Sequence, residues 1–269
     1  MSDTVKLTVE ASGGPTAKVI VDDFLQQTQS LLAALKETAK VLEGAKAQNI
    51  RYRIESLSTQ SPLIAEYRGE MMDFASPVNF GHIHHTFEIG LDAIVANKDI
   101  PETVNASVLK FLRDFCIPIG GSITTNRLSI NGTLIQLDAA FRNAIAKINA
   151  EDKTERGMFV KGMIEAANIH ESNRFFFFLY PTRGPQRIRC VFPSDLREAV
   201  REAFGKFVRV HGDFKYAWRE KYPYEVRVQR IESLPPRGDL PDIRTFFGAA
   251  PDATWDLNTE DFMEELRNG

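Results

Sequence analysis

The chain has 269 residues, 43% apolar and 26% charged, with a formal net charge of −3. That is the composition of an ordinary globular protein long enough for two domains. No apolar run approaches the ~20 residues of a membrane helix, and Met1–Val9 lacks the basic and apolar segments of a signal peptide, so a cytoplasmic protein without membrane contact is expected.

The charge is unevenly divided. Residues 1–155 carry 15 Lys/Arg against 19 Asp/Glu, residues 156–235 carry 15 against 9, and residues 236–269 carry 3 against 8. A basic central segment between acidic neighbours suits polyanion binding, or masking of that segment by the tail. Cys116 and Cys190 fall in different elements without paired spacing and read as reduced core residues.

In chain order, Lys6–Glu10 alternates like a strand and ends in Ser12-Gly13-Gly14-Pro15. A helix follows over Asp22–Leu42, with Phe24, Leu25, Leu31, Leu32, Leu35 and Leu42 on one stripe and Asp22 as N-cap. Ile50–Leu57 and Leu63–Gly69 read as a hairpin across Ser58–Pro62. Residues 78–116 form a helical pair: Phe87, Leu91, Ile94 and Val95 stripe the first helix, Val108, Leu109, Leu112 and Phe115 the second. Asn131-Gly132 is a strong two-residue turn between strands Ile123–Ile130 and Thr133–Leu137. A last helix, Ala139–Ala150, reaches a charged boundary at Glu151–Arg156.

Residues 161–235 then give five strands with a helix between the third and fourth, the chain order of an OB-fold. The strands are Met163–Ala167, Phe175–Tyr180, Arg187–Phe192, Lys206–Tyr216 and Tyr224–Glu232, and the helix is Ser194–Phe204. Alternation points Ile188, Cys190, Phe192, Val208, Val210, Val226 and Val228 inward. Four successive rings, Phe175 to Phe178, cannot all face one side of a pleated strand. Outward rings beside outward arginines are the combination that stacks bases and neutralises phosphates. The residues assigned to that role are Phe175, Phe177, Arg187, Arg189, Arg209 and Arg227. Packing of the rings on another part of the protein is the competing reading.

From Leu234 the chain turns acidic. Asn258 suits an N-cap, Glu260 and Asp261 suit the positive end of a short helix, and Leu257 with Phe262 has staple spacing. Phe246, Phe247, Trp255, Phe262, Met263 and Leu266 are more apolar surface than so short a segment covers alone. The segment either folds back on its own domain or wraps a partner.

Several stretches carry a resemblance: Leu57-Ser58-Thr59-Gln60-Ser61-Pro62, Arg189-Cys190-Val191-Phe192-Pro193, Gly205–Gly212, and the ending Gly248-Ala249-Ala250-Pro251-Asp252 with Glu260–Arg267. Through them the chain resembles an uncharacterised bacterial family with an α+β N-terminal part, an OB-like domain and a short acidic end. The tail is similar to the toxin-gripping tails of antitoxins, and the resemblance implies a PIN-type ribonuclease as protein partner, with Arg267 reaching the metal-site carboxylates of that nuclease. The N-terminal region departs from the pattern, since it lacks the small DNA-binding motif that antitoxins carry.

Catalytic signatures are missing. There is no Gly-x-Ser-x-Gly, no phosphate-cradling loop and no Gly-x-Gly-x-x-Gly. His82, His84 and His85 are the one histidine cluster, and nothing else in the sequence completes a ligand set for them. The sequence therefore predicts an α+β domain (1–155), an OB-like five-stranded barrel with one helix (156–235) and an extended acidic tail with a short helix (236–269). It points to a non-enzymatic, antitoxin-like binding protein without cofactor or metal, whose tail inhibits a partner nuclease. The alternative is a single-stranded nucleic-acid-binding module that uses the barrel face.

Overall fold

A computed structural model describes residues 4–13, 17–58, 62–72, 78–168, 175–182, 184 and 187–235. They form a mixed α/β protein with two five-stranded sheets and five α-helices. The partner-binding residues expected at Phe246, Phe247, Trp255, Phe262, Met263, Leu266 and Arg267 lie outside the described residues, as does the helix expected from Asn258.

By contacts the chain divides into two units. Unit 1 comprises residues 1–155 together with Phe214–Tyr224, and unit 2 takes 156–213 and the residues from Glu225 onward. The sequence reading kept 156–235 together, whereas the contacts group Phe214–Tyr224 with the N-terminal unit.

Unit 1 contains β1 (Thr4–Ala11), α1 (Val21–Glu43), β2 (Ile50–Ser58), β3 (Leu63–Met71), α2 (Phe80–Val95), α3 (Ala106–Phe115), β4 (Ile123–Ile130), β5 (Thr133–Leu137) and α4 (Ala139–Lys147). Its sheet runs β2-β3-β1-β4-β5, with every neighbouring pair antiparallel. Alternate residues of the sheet, Val5, Leu7, Val9, Ala65, Tyr67, Leu128 and Ile130, pack under Leu31, Leu35, Leu91, Val108, Leu112 and Phe141 of the helices. This period-2 face meeting period-3.6 stripes is what makes the core continuous.

Local chemistry sets the turns. Asn131 and Gly132 take φ of 50° and 90°, the two positive angles a tight hairpin of this twist needs. Asn79, Asn105 and Asp138 cap α2, α3 and α4 by accepting backbone N–H bonds. At Asp138, slight burial opposes ionisation. The N–H groups of Phe141 and Ala140 and the Gln136 amide outweigh it, and the carboxyl sits below its ordinary range.

Three expectations are corrected. Asp22 is not the cap of α1: the helix starts at Val21 after Ile20, which offers no side-chain bond, and Asp22 and Asp23 lie in the first turn. There they still face the positive end of the helix. Leu25 and Val95 are exposed, because the stripes that meet the sheet are narrower than the apolar runs in sequence. The helix α4 stops at Lys147, three residues short of the expected end.

Unit 2 is built from β6 (Lys153–Asn168), β7 (Phe176–Pro181), β8 (Ile188–Val191), α5 (Arg197–Ala203), β9 (Phe207–Tyr216) and β10 (Glu225–Ser233), with the ends of β6 and β9 at Glu155 and Tyr216 belonging to unit 1. Strand neighbours run β10-β8-β7-β6-β9. The β8–β10 pair is parallel and the β6–β7 and β7–β8 pairs are antiparallel. Ile188, Cys190, Phe192, Val208, Val210, Val226 and Val228 are all buried, as the alternation predicts.

The Phe214–Tyr224 connection is held within unit 1 by specific polar contacts. Arg219 donates to the carbonyls of Ile100 (2.6 Å) and Pro101 (3.0 Å), and its guanidinium lies 4.4 Å from the Trp218 ring centroid. The Glu220 carboxylate accepts from the N–H and hydroxyl of Ser107 in the first turn of α3 (3.2 and 2.7 Å). An anion at that end of a helix is favourable. Trp218 packs against the unit 1 core. Trp218→Ala is expected to lower stability by on the order of 2 kcal/mol, less than a fully buried Trp would cost; an unchanged urea midpoint would show that the connection is not a structural part of unit 1. Among the described residues no helix is long and apolar enough to cross a membrane.

Candidate functional site

The outer face of β7 and β8 carries a ladder of rings and guanidinium groups. In the antiparallel register Phe177 stands opposite Cys190 and Leu179 opposite Ile188, all four inside. Strand alternation then turns Phe176 and Phe178 outward, with Phe178 opposite Arg189. The Arg187 guanidinium carbon sits 4.5 Å from the Phe178 centroid, and that of Arg189 4.7 Å from the Phe176 centroid. The two rings meet edge to face, with centroids 5.5 Å apart. Two rings in mutual contact are thus flanked by two cations, each cation within cation–π range of one ring.

Phe177 is therefore not a ligand-facing ring. It is 0% exposed and touches Phe192 in the interior, with centroids 5.7 Å apart. The sequence assignment had the wrong phase: four identical residues fit either parity, and the neighbouring strand fixes which is native. Phe175 lies just before β7, half-buried against Phe192 with Arg197 on its other side at 5.8 Å, and is not a rung of the ladder. Phe176 and Phe178 are the rings the sequence reading missed. The inward pattern Phe177–Leu179, matched to inward Ile188 and Cys190, is the signal that identifies them.

The arginines also divide. Arg227 on β10 is in register with Val191, which puts it on the ladder's face, and it is exposed. Glu225 is in register with Arg189 and is the acidic member of that face on β10. Arg209 belongs elsewhere: its guanidinium covers the exposed Phe159 ring at 5.1 Å and pairs with Glu232 at 3.4 Å. His211 approaches the same carboxylate at 3.5 Å, and Arg230 at 2.7 Å. Arg209 is thus committed to an ion-pair cluster of β9 and β10, away from the rings of β7.

The histidines of α2 do not converge. His84 is buried, with Nε2 3.2 Å from the Tyr52 hydroxyl, whose pKa burial pushes up. His82 and His85 are exposed, and His85 Nδ1 lies 3.6 Å from Glu88. Among the described residues no group of three His, Cys, Asp or Glu side chains is placed to hold a metal ion. Cys116 and Cys190 are both buried and unpaired, and burial pushes both thiols up, Cys116 to about 12. Neither is a ready nucleophile.

What the β7–β8 face can do chemically is offer apolar ring surface flanked by positive charge, with Glu225 on β10 as its acidic neighbour. No protein-family model matches the chain, and no curated protein matches it.

Proposed function

We propose that unit 2 is an OB-like barrel whose β7–β8 face binds a short stretch of single-stranded nucleic acid. The observation that carries the reading is the ladder Arg187–Phe178–Phe176–Arg189 on an outer strand face, in which two rings meet edge to face and each has a guanidinium within cation–π range. The strand arrangement supports it. The third and fifth strands of unit 2 are parallel neighbours, the helix lies between the third and fourth, and the strand neighbours run β10-β8-β7-β6-β9. In barrels of this kind the second and third strands form the oligonucleotide-binding face. Without Phe214–Tyr224, which groups with unit 1, residues 156–213 and 225–235 carry 12 Lys/Arg against 8 Asp/Glu, a small excess of the matching sign.

Two rings make a small platform. Stacking contributes ~1–3 kcal/mol per base, so the affinity is modest and tolerant of sequence. With Arg187, Arg189 and Arg227 as the phosphate contacts, the slope of log K against log salt is expected to be about −1.4 to −2.1, for two or three phosphates on a single strand. Fluorescence anisotropy with labelled oligo-dT between 50 and 200 mM KCl measures it. Absent binding, or binding indifferent to salt, would overturn the reading. The nuclease-inhibitor reading rests on the family resemblance and on the tail 236–269, and that tail lies outside the described residues.

A further inference from the structure

Unit 1 has a cleft of about 390 Å³ at the C-terminal end of α3, lined by Arg113, Cys116, Ile117, Arg142, Ile145 and Ala146. The volume falls within the range of small-molecule sites, towards its lower end. Two arginines project into a lining that is otherwise aliphatic or thiol, and among the described residues neither is paired with a carboxylate.

Both guanidinium groups are nonetheless fixed. Arg113 Nη2 donates to the Ile148 carbonyl (3.0 Å), and Arg142 Nη1 donates to the Ile119 carbonyl (2.5 Å). One N–H of each is used by the backbone, and among the described residues the remaining donors of each fork are uncommitted. Ile119 is wholly buried and Gly120, beside it, adopts a φ of 83°, so the carbonyl that orients Arg142 belongs to a tightly packed turn. The thiol of Cys116 stays protonated at neutral pH and acts as part of the apolar wall.

We propose that this cleft binds a small amphipathic carboxylate, its apolar body against Ile117, Ile145 and Ala146 and its head group between Arg113 and Arg142. The charge of the ligand follows from two guanidinium groups without acidic partners. Its apolar body follows from the walls, which give a bare inorganic anion nothing to displace. A carboxylate matches the planar fork of a guanidinium in two parallel hydrogen bonds. The wall offers a more highly charged head group no donors beyond the arginines. This site is independent of the β7–β8 face and of any nucleic-acid reading.

The test is an NMR titration of the full-length protein with sodium octanoate, with octylamine and inorganic phosphate as controls. Saturable shifts are expected at the amides of Cys116, Ile117 and Ala146 with octanoate, and none that saturate with either control. Arg113→Gln is expected to weaken octanoate at least tenfold. Ala146→Phe fills the cleft from an exposed position one turn beyond Arg142 on α4 and replaces neither arginine, and it is expected to abolish the shifts while the spectrum stays dispersed. If Arg113→Gln fails to fold, Ala146→Phe decides. Non-saturating shifts, equal shifts with octylamine, or octanoate binding unchanged in Ala146→Phe would each overturn the proposal.

Discussion

Phe177→Ala is expected to destabilise unit 2 by ~3–5 kcal/mol, the cost of truncating a fully buried ring, while Phe176→Ala with Phe178→Ala leaves it folded and removes oligonucleotide binding. The two outcomes come from neighbouring residues of one strand. Phe177 is completely enclosed with Cys190 and Phe192, so its removal opens a cavity in a packed interior. Domain stability is commonly 5–15 kcal/mol, and a loss of that size removes a large part of it. Phe176 and Phe178 instead meet Arg187 and Arg189 on the outer face. Losing both rings removes the stacking surface, and at ~1–3 kcal/mol per base affinity should fall at least about fivefold, and about thirtyfold or more if two bases are stacked. Urea denaturation followed by circular dichroism reads the first effect, and anisotropy with labelled oligo-dT reads the second. A stable Phe177→Ala, or a double variant that binds as tightly as the parent, would reverse the assignment of faces.

The second large effect is expected at Gly212, where β9 crosses β10. A Cβ built there would lie 2.0 Å from the Arg227 carbonyl oxygen and 3.2 Å from the Val228 Cα. Both obstacles are backbone, so no side-chain rotation relieves the overlap. Gly212→Ala must push β9 and β10 apart, beside the contact of Gln229 with Asp213 (3.2 Å); the Leu234 N–H to Phe207 carbonyl bond (2.9 Å) ties the same strands at their other end. The cost is expected at or beyond the upper end of the ~1–3 kcal/mol that overpacking takes. Amide exchange would show it as lost protection along β9 and β10 with unit 1 unaffected. Native protection in Gly212→Ala would mean that the two strands are not in close register.

The two effects concern the same structure from opposite sides. Phe177 fills the interior of unit 2, and Gly212 allows two of its strands to approach. The ladder needs both, because its spacing depends on β7 and β8 being held rigidly in register. Stacking planes a few ångströms apart do not tolerate a strand that slips.

Much of the architecture was legible in the residues themselves. The hairpin at Asn131-Gly132, with strands Ile123–Ile130 and Thr133–Leu137, is recovered residue for residue because positive φ at two adjacent positions is a local demand. The α3 stripe of Val108, Leu109, Leu112 and Phe115 is wholly buried for a similar reason: its period is specified within ten residues. Inward positions on β8, β9 and β10 followed from alternation between apolar and polar side chains.

Phase, grouping and convergence were decided only by tertiary structure. A run of four phenylalanines has a period of two but no phase, so the outward rings are Phe176 and Phe178 because Cys190 and Ile188 across the strand pair fix the inside. Phe214–Tyr224 joins unit 1 through Ser107, Ile100 and the core, more than a hundred residues away in sequence. Arg113 and Arg142 lie on different helices, and only the packing of α3 beside α4 sets them in one cleft. Sequence specifies what each residue prefers over a few positions; which distant residue completes that preference is settled by the fold, where burial and register select one partner from many.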